Sequence, residues 1–126
     1  MSRGYRDLVV WQKSMELAAA IYQLSKQFPR EEMYGITSQM RRSAVSIASN
    51  IAEGHGRLNS KEFGQFLGIA RGSTYELQTQ LELARELQIG VDGQIEKSLE
   101  MSEEVGRMLY SLIHSVRNMR SRLSAD

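Results

Sequence analysis

The stretch Asn50-Ile51-Ala52-Glu53-Gly54-His55-Gly56-Arg57 gathers the side chains of this chain best suited to chemistry: an amide, a carboxylate, an imidazole and a guanidinium. Asn50 and Glu53 stand three residues apart, so on a helix they project to one side. Glu53 could there serve as a general base or a metal ligand. The same residues also suit a polar lock at the end of a helical hairpin, formed by Asn50, Glu53, Arg57 and Arg71. A carboxylate at a helix C-terminus opposes the helix dipole and needs a compensating donor. Arg57, Arg71 or the backbone amides of a following helix could supply one. The lock is the reading adopted here, and it implies that Glu53→Gln lowers thermal stability more than any activity.

Other chemistries fare worse. A di-iron bundle needs Glu-x-x-His steps facing its core. Position 111 is Ser and position 52 is Ala, so neither His114 nor His55 completes such a step. The chain has no Cys, which removes thiolate catalysis and disulfides. No strained nucleophile turn accompanies a histidine, so serine–histidine catalysis is not expected. No catalytic residue, metal or cofactor is expected, and the chain is read as a non-enzyme.

Apolar spacing predicts the elements that would position these groups. A first helix is expected from about Asp7 to Phe28, carried by Val10, Leu17, Ile21, Leu24 and Phe28. A second apolar row, Trp11, Met15, Ala18 and Tyr22, makes it apolar around more than half its circumference, more than one core face needs. The second helix is expected to start near Thr37 as N-cap and to stop at Gly54 and Gly56, since glycine readily turns left-handed after a helix end. Asn59 with Glu62 three residues on resembles a capping box opening the third helix, which runs to about Leu87. Gly90 and Gly93 frame the next turn, with Asp92 as cap of a fourth helix carrying Ile95, Leu99, Val105, Leu109, Leu112, Val116, Met119 and Leu123. Short connections make sequential helices antiparallel neighbours. The expected fold is all-α, one up-down-up-down four-helix bundle over residues 1–126.

Two surface patterns bear on partners. Gly64, Gly68 and Gly72 recur every four residues, and each costs about 1 kcal/mol relative to Ala inside a helix. They lie off the core stripe, in a strip that Tyr75 and Thr79 extend. A close helix contact is the favoured explanation, with a neighbouring subunit or another helix; a tolerated solvated face is the plainer one. Trp11, Met15 and Tyr22 join the strip as candidate oligomer contacts. Separately, the bundle topology brings Arg3, Arg6, Lys13, Arg57, Lys61, Arg117, Arg120 and Arg122 to one pole. Bases near helix ends complement the macrodipole, which accounts for the fourth helix but not for Arg3, Arg6, Lys13 and Lys61 near helix starts. These eight are the candidate polyanion-binding residues. Binding of that kind is dominated by phosphates and is steeply salt dependent. No RNA-recognition motif or exposed aromatic platform is evident, so sequence-specific readout is not expected.

Composition sets outer bounds. At 126 residues, 41% hydrophobic and 25% charged, the chain suits a single soluble domain. No run of about 18 apolar residues is present, and no signal-peptide core opens the chain. A cytoplasmic protein without a membrane partner is therefore expected. The net charge of +1 does not by itself select nucleic acid.

The ordered pieces carry a resemblance. Asp7-Leu8-Val9-Val10-Trp11-Gln12-Lys13, then Phe28-Pro29 with Glu32-Met33-Tyr34-Gly35-Ile36-Thr37, open the pattern. Gln39-Met40-Arg41-Arg42-Ser43-Ala44, Ser46-Ile47 and Asn50-Ile51-Ala52-Glu53-Gly54 continue it. Ser60-Lys61-Glu62-Phe63, Phe66-Leu67, Ala70-Arg71-Gly72-Ser73 and Glu76-Leu77 complete it. Together they resemble the family of proteins encoded in intervening sequences of 23S ribosomal RNA genes. That resemblance implies a closed four-helix bundle assembling into a ring-shaped homopentamer, with no shared catalytic mechanism. The chain is also similar to the accessory variability determinant of diversity-generating retroelements, a pentamer that binds RNA and a reverse transcriptase. The expected function is a non-enzymatic binding or scaffold protein engaging RNA or another polyanion. A protein–protein adaptor without nucleic acid is the competing class.

Overall fold

The computed structural model describes the backbone of residues 1–125 and the side chains of residues 1–119. Four helices make up the fold: α1 (Val9–Ser25), α2 (Ile36–His55), α3 (Ser60–Glu86) and α4 (Asp92–Ala125). Each helix packs against its two neighbours, α1 on α2, α2 on α3, α3 on α4 and α4 on α1, while the backbones of the diagonal pairs stay apart among the described residues. This is the expected four-helix bundle. Its core takes Leu17, Ile21 and Leu24 from α1, Met40, Ile47 and Ile51 from α2, Leu67, Leu77 and Leu81 from α3, and Ile95, Val105 and Leu109 from α4.

α1 is shorter than its apolar pattern suggests. Residues Gly4–Asp7 form a separate 3-10 turn, in which the Asp7 carboxylate accepts from the Arg3 amide at 2.8 Å. At the other end, the Gln27 and Phe28 amides bond to carbonyls three residues back, Leu24 and Ser25, so the helix tightens and ends before Pro29. A residue preceding proline disfavours the helical region. Phe28 is nonetheless buried, because its ring slides under Gly90 in the α3–α4 turn. A Cβ at Gly90 would lie 2.7 Å from that ring, and Gly90 has φ +86°.

The starts and stops divide into those set by local chemistry and those set by packing. Asn59 is the N-cap of α3: its Oδ1 accepts from the Glu62 amide at 2.9 Å. Thr37, by contrast, is not the cap of α2. The helix is capped two residues earlier, at Gly35, and Thr37 is buried inside it. Asp92 is likewise already in α4, whose first turn closes on the Val91 carbonyl. In α4, Ile113 is buried, whereas Leu112 packs only at the core margin and Met119 is 57% exposed. Leu123 lies outside the described side chains.

The glycines ending α2 correct the sequence reading most. Neither Gly54 nor Gly56 is left-handed; Gly56 has φ −77° and Gly54 sits within the helix. Gly54 is required by proximity instead. A Cβ there would meet the Phe66 Cβ at 2.5 Å and the Phe63 ring at 3.2 Å. A left-handed helix end is found instead after α3, at Gln88 (φ 59°). There the Ile89 amide bonds to the Ala84 carbonyl at 2.8 Å and the Gln88 amide to Arg85, the paired bonds of a Schellman end.

Because Phe66 Cβ is anchored to the α3 backbone, it cannot swing clear of an added methyl. Gly54→Ala is expected to destabilise the fold by about 1–3 kcal/mol through overpacking, despite the better helix propensity of Ala. Thermal denaturation checks this, and an unchanged or raised Tm would contradict the close contact.

Candidate functional site

The hairpin that drew attention in the sequence is held by aromatic rings rather than by one polar lock. The Gly54 surface receives Phe66, the Arg57 guanidinium lies 4.8 Å above the Phe66 ring centroid, and His55 meets Phe63 edge-on at 5.7 Å. Glu53 and Arg57 are brought together, Oε1 to Nη2 at 3.0 Å, but both side chains are about half exposed. Asn50 and Arg71 belong to other groups. Asn50 Nδ2 donates to the Ser46 carbonyl at 2.8 Å and to Ser46 Oγ at 3.0 Å, and Ser46 Oγ shares a proton with Ser73 Oγ of α3 at 2.9 Å. Arg71 Nη2 donates to the Tyr75 hydroxyl at 2.8 Å. The real polar link between α2 and α3 is thus Asn50–Ser46–Ser73, to which Glu53 makes no hydrogen bond among the described residues.

The proposed oligomer residues separate in the same way. Trp11 is half-buried against the core and meets Tyr5 edge-on at 5.2 Å, whereas Met15 and Tyr22 remain 47% and 40% exposed. The Arg41 guanidinium lies 4.6 Å over the Tyr22 ring and donates through Nε to Ser25 Oγ at 2.8 Å. On α3, a Cβ added at Gly68 or Gly72 would meet nothing within 4 Å, and one at Gly64 would meet only Val116, at an ordinary 3.8 Å. No second helix of the same chain therefore uses the strip at Gly68 and Gly72. Thr79 Oγ1 bonds back to the Tyr75 carbonyl at 2.9 Å.

The basic pole is partly neutralised. Lys13 stands 3.7 Å from both Glu16 and Glu104, and Arg57 pairs with Glu53. Arg6 leans on the Tyr5 ring, 4.6 Å from its centroid. Lys61 and Arg117 instead border an open groove of about 290 Å³ between the start of α3 and the later part of α4, lined also by Ser60, Gly64, Gln65, Gly68 and Val116. Among the described residues, no carboxylate comes within ion-pair distance of Arg3, Arg6, Lys61 or Arg117. Arg120 and Arg122 lie outside the described side chains. At the opposite pole, Arg85 is held by Glu82 and Glu96 at 2.6 and 2.7 Å. The hydrogen bond and charge of Glu82 chiefly raise its affinity for its proton.

Sequence reasoning found no exposed aromatic platform, yet the fold builds one. Tyr75 of α3 and Tyr110 of α4 are each half exposed and border the same groove beside Arg71. These residues are 35 positions apart, so no local spacing announces them. Among the described residues, no three His, Cys, Asp or Glu side chains gather as a metal site, and no helix is long and apolar enough to cross a membrane.

Fold and surface together define an all-α bundle whose polar groups sit at its ends and flanks rather than in a central site. Residues 6–111 match the family of 23S rRNA-intervening sequence proteins, and the chain belongs to that family. A solved structure from Bacteroides thetaiotaomicron VPI-5482, a protein with unknown function from the S23 ribosomal protein family, is similar at a TM-score of 0.75 and 33% identity. The match covers 83% of this chain and 98% of that one. No curated protein matches the chain.

The exposed Glu53–Arg57 pair is worth at most about 0.5 kcal/mol. Glu53→Gln is therefore expected to leave the Tm nearly unchanged, in contrast to the lock reading. Ser73→Ala, which strips a hydroxyl from the α2–α3 link, is expected to cost about 1 kcal/mol. Paired melting curves decide between the two arrangements.

Proposed function

We propose that this protein is a non-enzymatic, oligomeric binding or scaffold protein that engages RNA or another polyanion through its basic pole. The observation that carries this reading is the groove between Lys61 and Arg117. Gly64 and Gly68 leave its floor without side chains, so a phosphate chain can approach the α3 backbone between two cations. Lys and Arg contacts of this kind bind by releasing counterions, with little base discrimination. Repetition of the pole around an assembly would strengthen its field.

Assembly is supported by the relief of two unlike surfaces. Met15 and Tyr22 protrude from α1, while Gly68 and Gly72 make α3 flat, and α1 and α3 are diagonal in the bundle. A contact between unlike faces repeats head to tail and closes into a ring when the rotation permits. The resemblance noted from the motifs supports a ring of five copies. A cytoplasmic location accompanies this reading.

Two measurements test it. Gly68→Leu is expected to change the mass of the assembly in light scattering; an identical mass would remove the glycine strip from the contact. A Lys61→Glu/Arg117→Glu variant is expected to lose roughly tenfold or more in affinity for structured RNA at about 50 mM salt, and the unaltered protein to lose binding steeply by about 200 mM. Absence of binding by the unaltered protein at low salt would favour the protein–protein adaptor.

A further inference from the structure

The α3–α4 flank holds a second concave surface, distinct from the basic pole. It is a groove of about 610 Å³ lined by Arg71, Tyr75 and Gln78 from α3 and by Glu103, Gly106, Arg107, Tyr110 and Ser111 from α4. Arg71 lies between the two rings, its Cζ 5.1 Å from the Tyr75 centroid and 5.3 Å from that of Tyr110. His114 meets the Tyr110 ring edge-on at 4.4 Å. Of the five hydrogen bonds a guanidinium can donate, Arg71 makes one among the described residues, to Tyr75. Its Nε is buried with no acceptor among the described residues. Neither Arg71 nor Arg107 pairs with a carboxylate among the described residues, although Glu103 borders the same groove.

We infer that this groove is a nucleotide-binding site, taking one phosphate between Arg71 and Arg107 and its base against the exposed face of Tyr110 or Tyr75. The ligand must be both anionic and planar. Arginine forks suit phosphate oxygens, and the Tyr75 hydroxyl, already an acceptor from Arg71, keeps its own proton to donate. The two half-exposed rings offer the stacking surface that single strands use without sequence readout. This inference stands on its own residues and does not depend on the Lys61–Arg117 groove.

The test uses the intact assembly with three probes: uridine monophosphate, a labelled oligouridine of about eight residues, and inorganic phosphate. Tyr110→Leu and Arg71→Leu are each expected to weaken uridine nucleotide binding roughly tenfold. Tyr75 and Tyr110 ring resonances are expected to shift on titration with the monophosphate. Oligouridine binding much tighter than the monophosphate identifies a single strand as the natural source; equal affinity identifies a free nucleotide. Should Arg71→Leu fail to fold, Arg107→Ser at an exposed position supplies the same readout. Three results would overturn the site: binding indifferent to Tyr110→Leu and to both arginine variants, inorganic phosphate competing as well as the monophosphate, or an altered assembly mass for Tyr110→Leu, which would mark these rings as a subunit contact.

Discussion

The approach of α2 to α3 at Gly54 is the contact on which the placement of the hairpin rests. With no side chain at that position, Phe66 and Phe63 of α3 lie directly against the α2 backbone, and Arg57 and His55 fold over their rings. Further along the same seam, the contact between Ser46 and Ser73 hydroxyls holds the helices together through small polar groups. Small side chains at a crossing allow a short interaxial distance. The seam fixes where α3 begins, and with it the position of Lys61 beside Arg117 of α4. Local close packing thereby determines the shape of a surface that carries no core residue.

Inside the bundle, hydroxyl groups are used without leaving polar atoms stranded. Ser14, Ser25 and Thr74 bond to the carbonyls four residues back, and Ser102 to the one three back. Such back-bonding satisfies a buried hydroxyl within its own helix. The side chains then behave as small spacers between Leu and Ile layers. Arg71 Nε and Gln80 Oε1 are the buried side-chain atoms left without partners among the described residues.

What could be read in advance follows the range of the forces involved. The four helices were legible because three- and four-residue apolar spacing is written in consecutive residues. So was the Asn59 cap, whose bond spans only three positions. Gly54 was misread because a glycine near a helix end has two physical explanations, a left-handed turn or a close neighbour, and only the partner helix distinguishes them. Gln88 gave the opposite surprise, since a left-handed residue other than glycine carries no strong mark in composition. In α4, adjacent Leu112 and Ile113 fit the period almost equally, and the packing of α3 and α1 chose Ile113. Of the four lock residues only Glu53 and Arg57 meet, because Asn50 finds Ser46 and Arg71 finds Tyr75 nearer at hand. The grouping of Arg71 with Tyr110 arises from the α3–α4 register, which no local window contains.

The helices also differ greatly in length: α1 has 17 residues and α4 has 34. α1 lies beside α4 from about Gln94, near Leu24, to about Ser115, near Val9. Just past that level, Val116 and Arg117 of α4 lie beside the opening turn of α3 at Ser60 and Lys61, so the longest helix reaches from the α3–α4 turn at one pole to the mouth of the α2–α3 hairpin at the other.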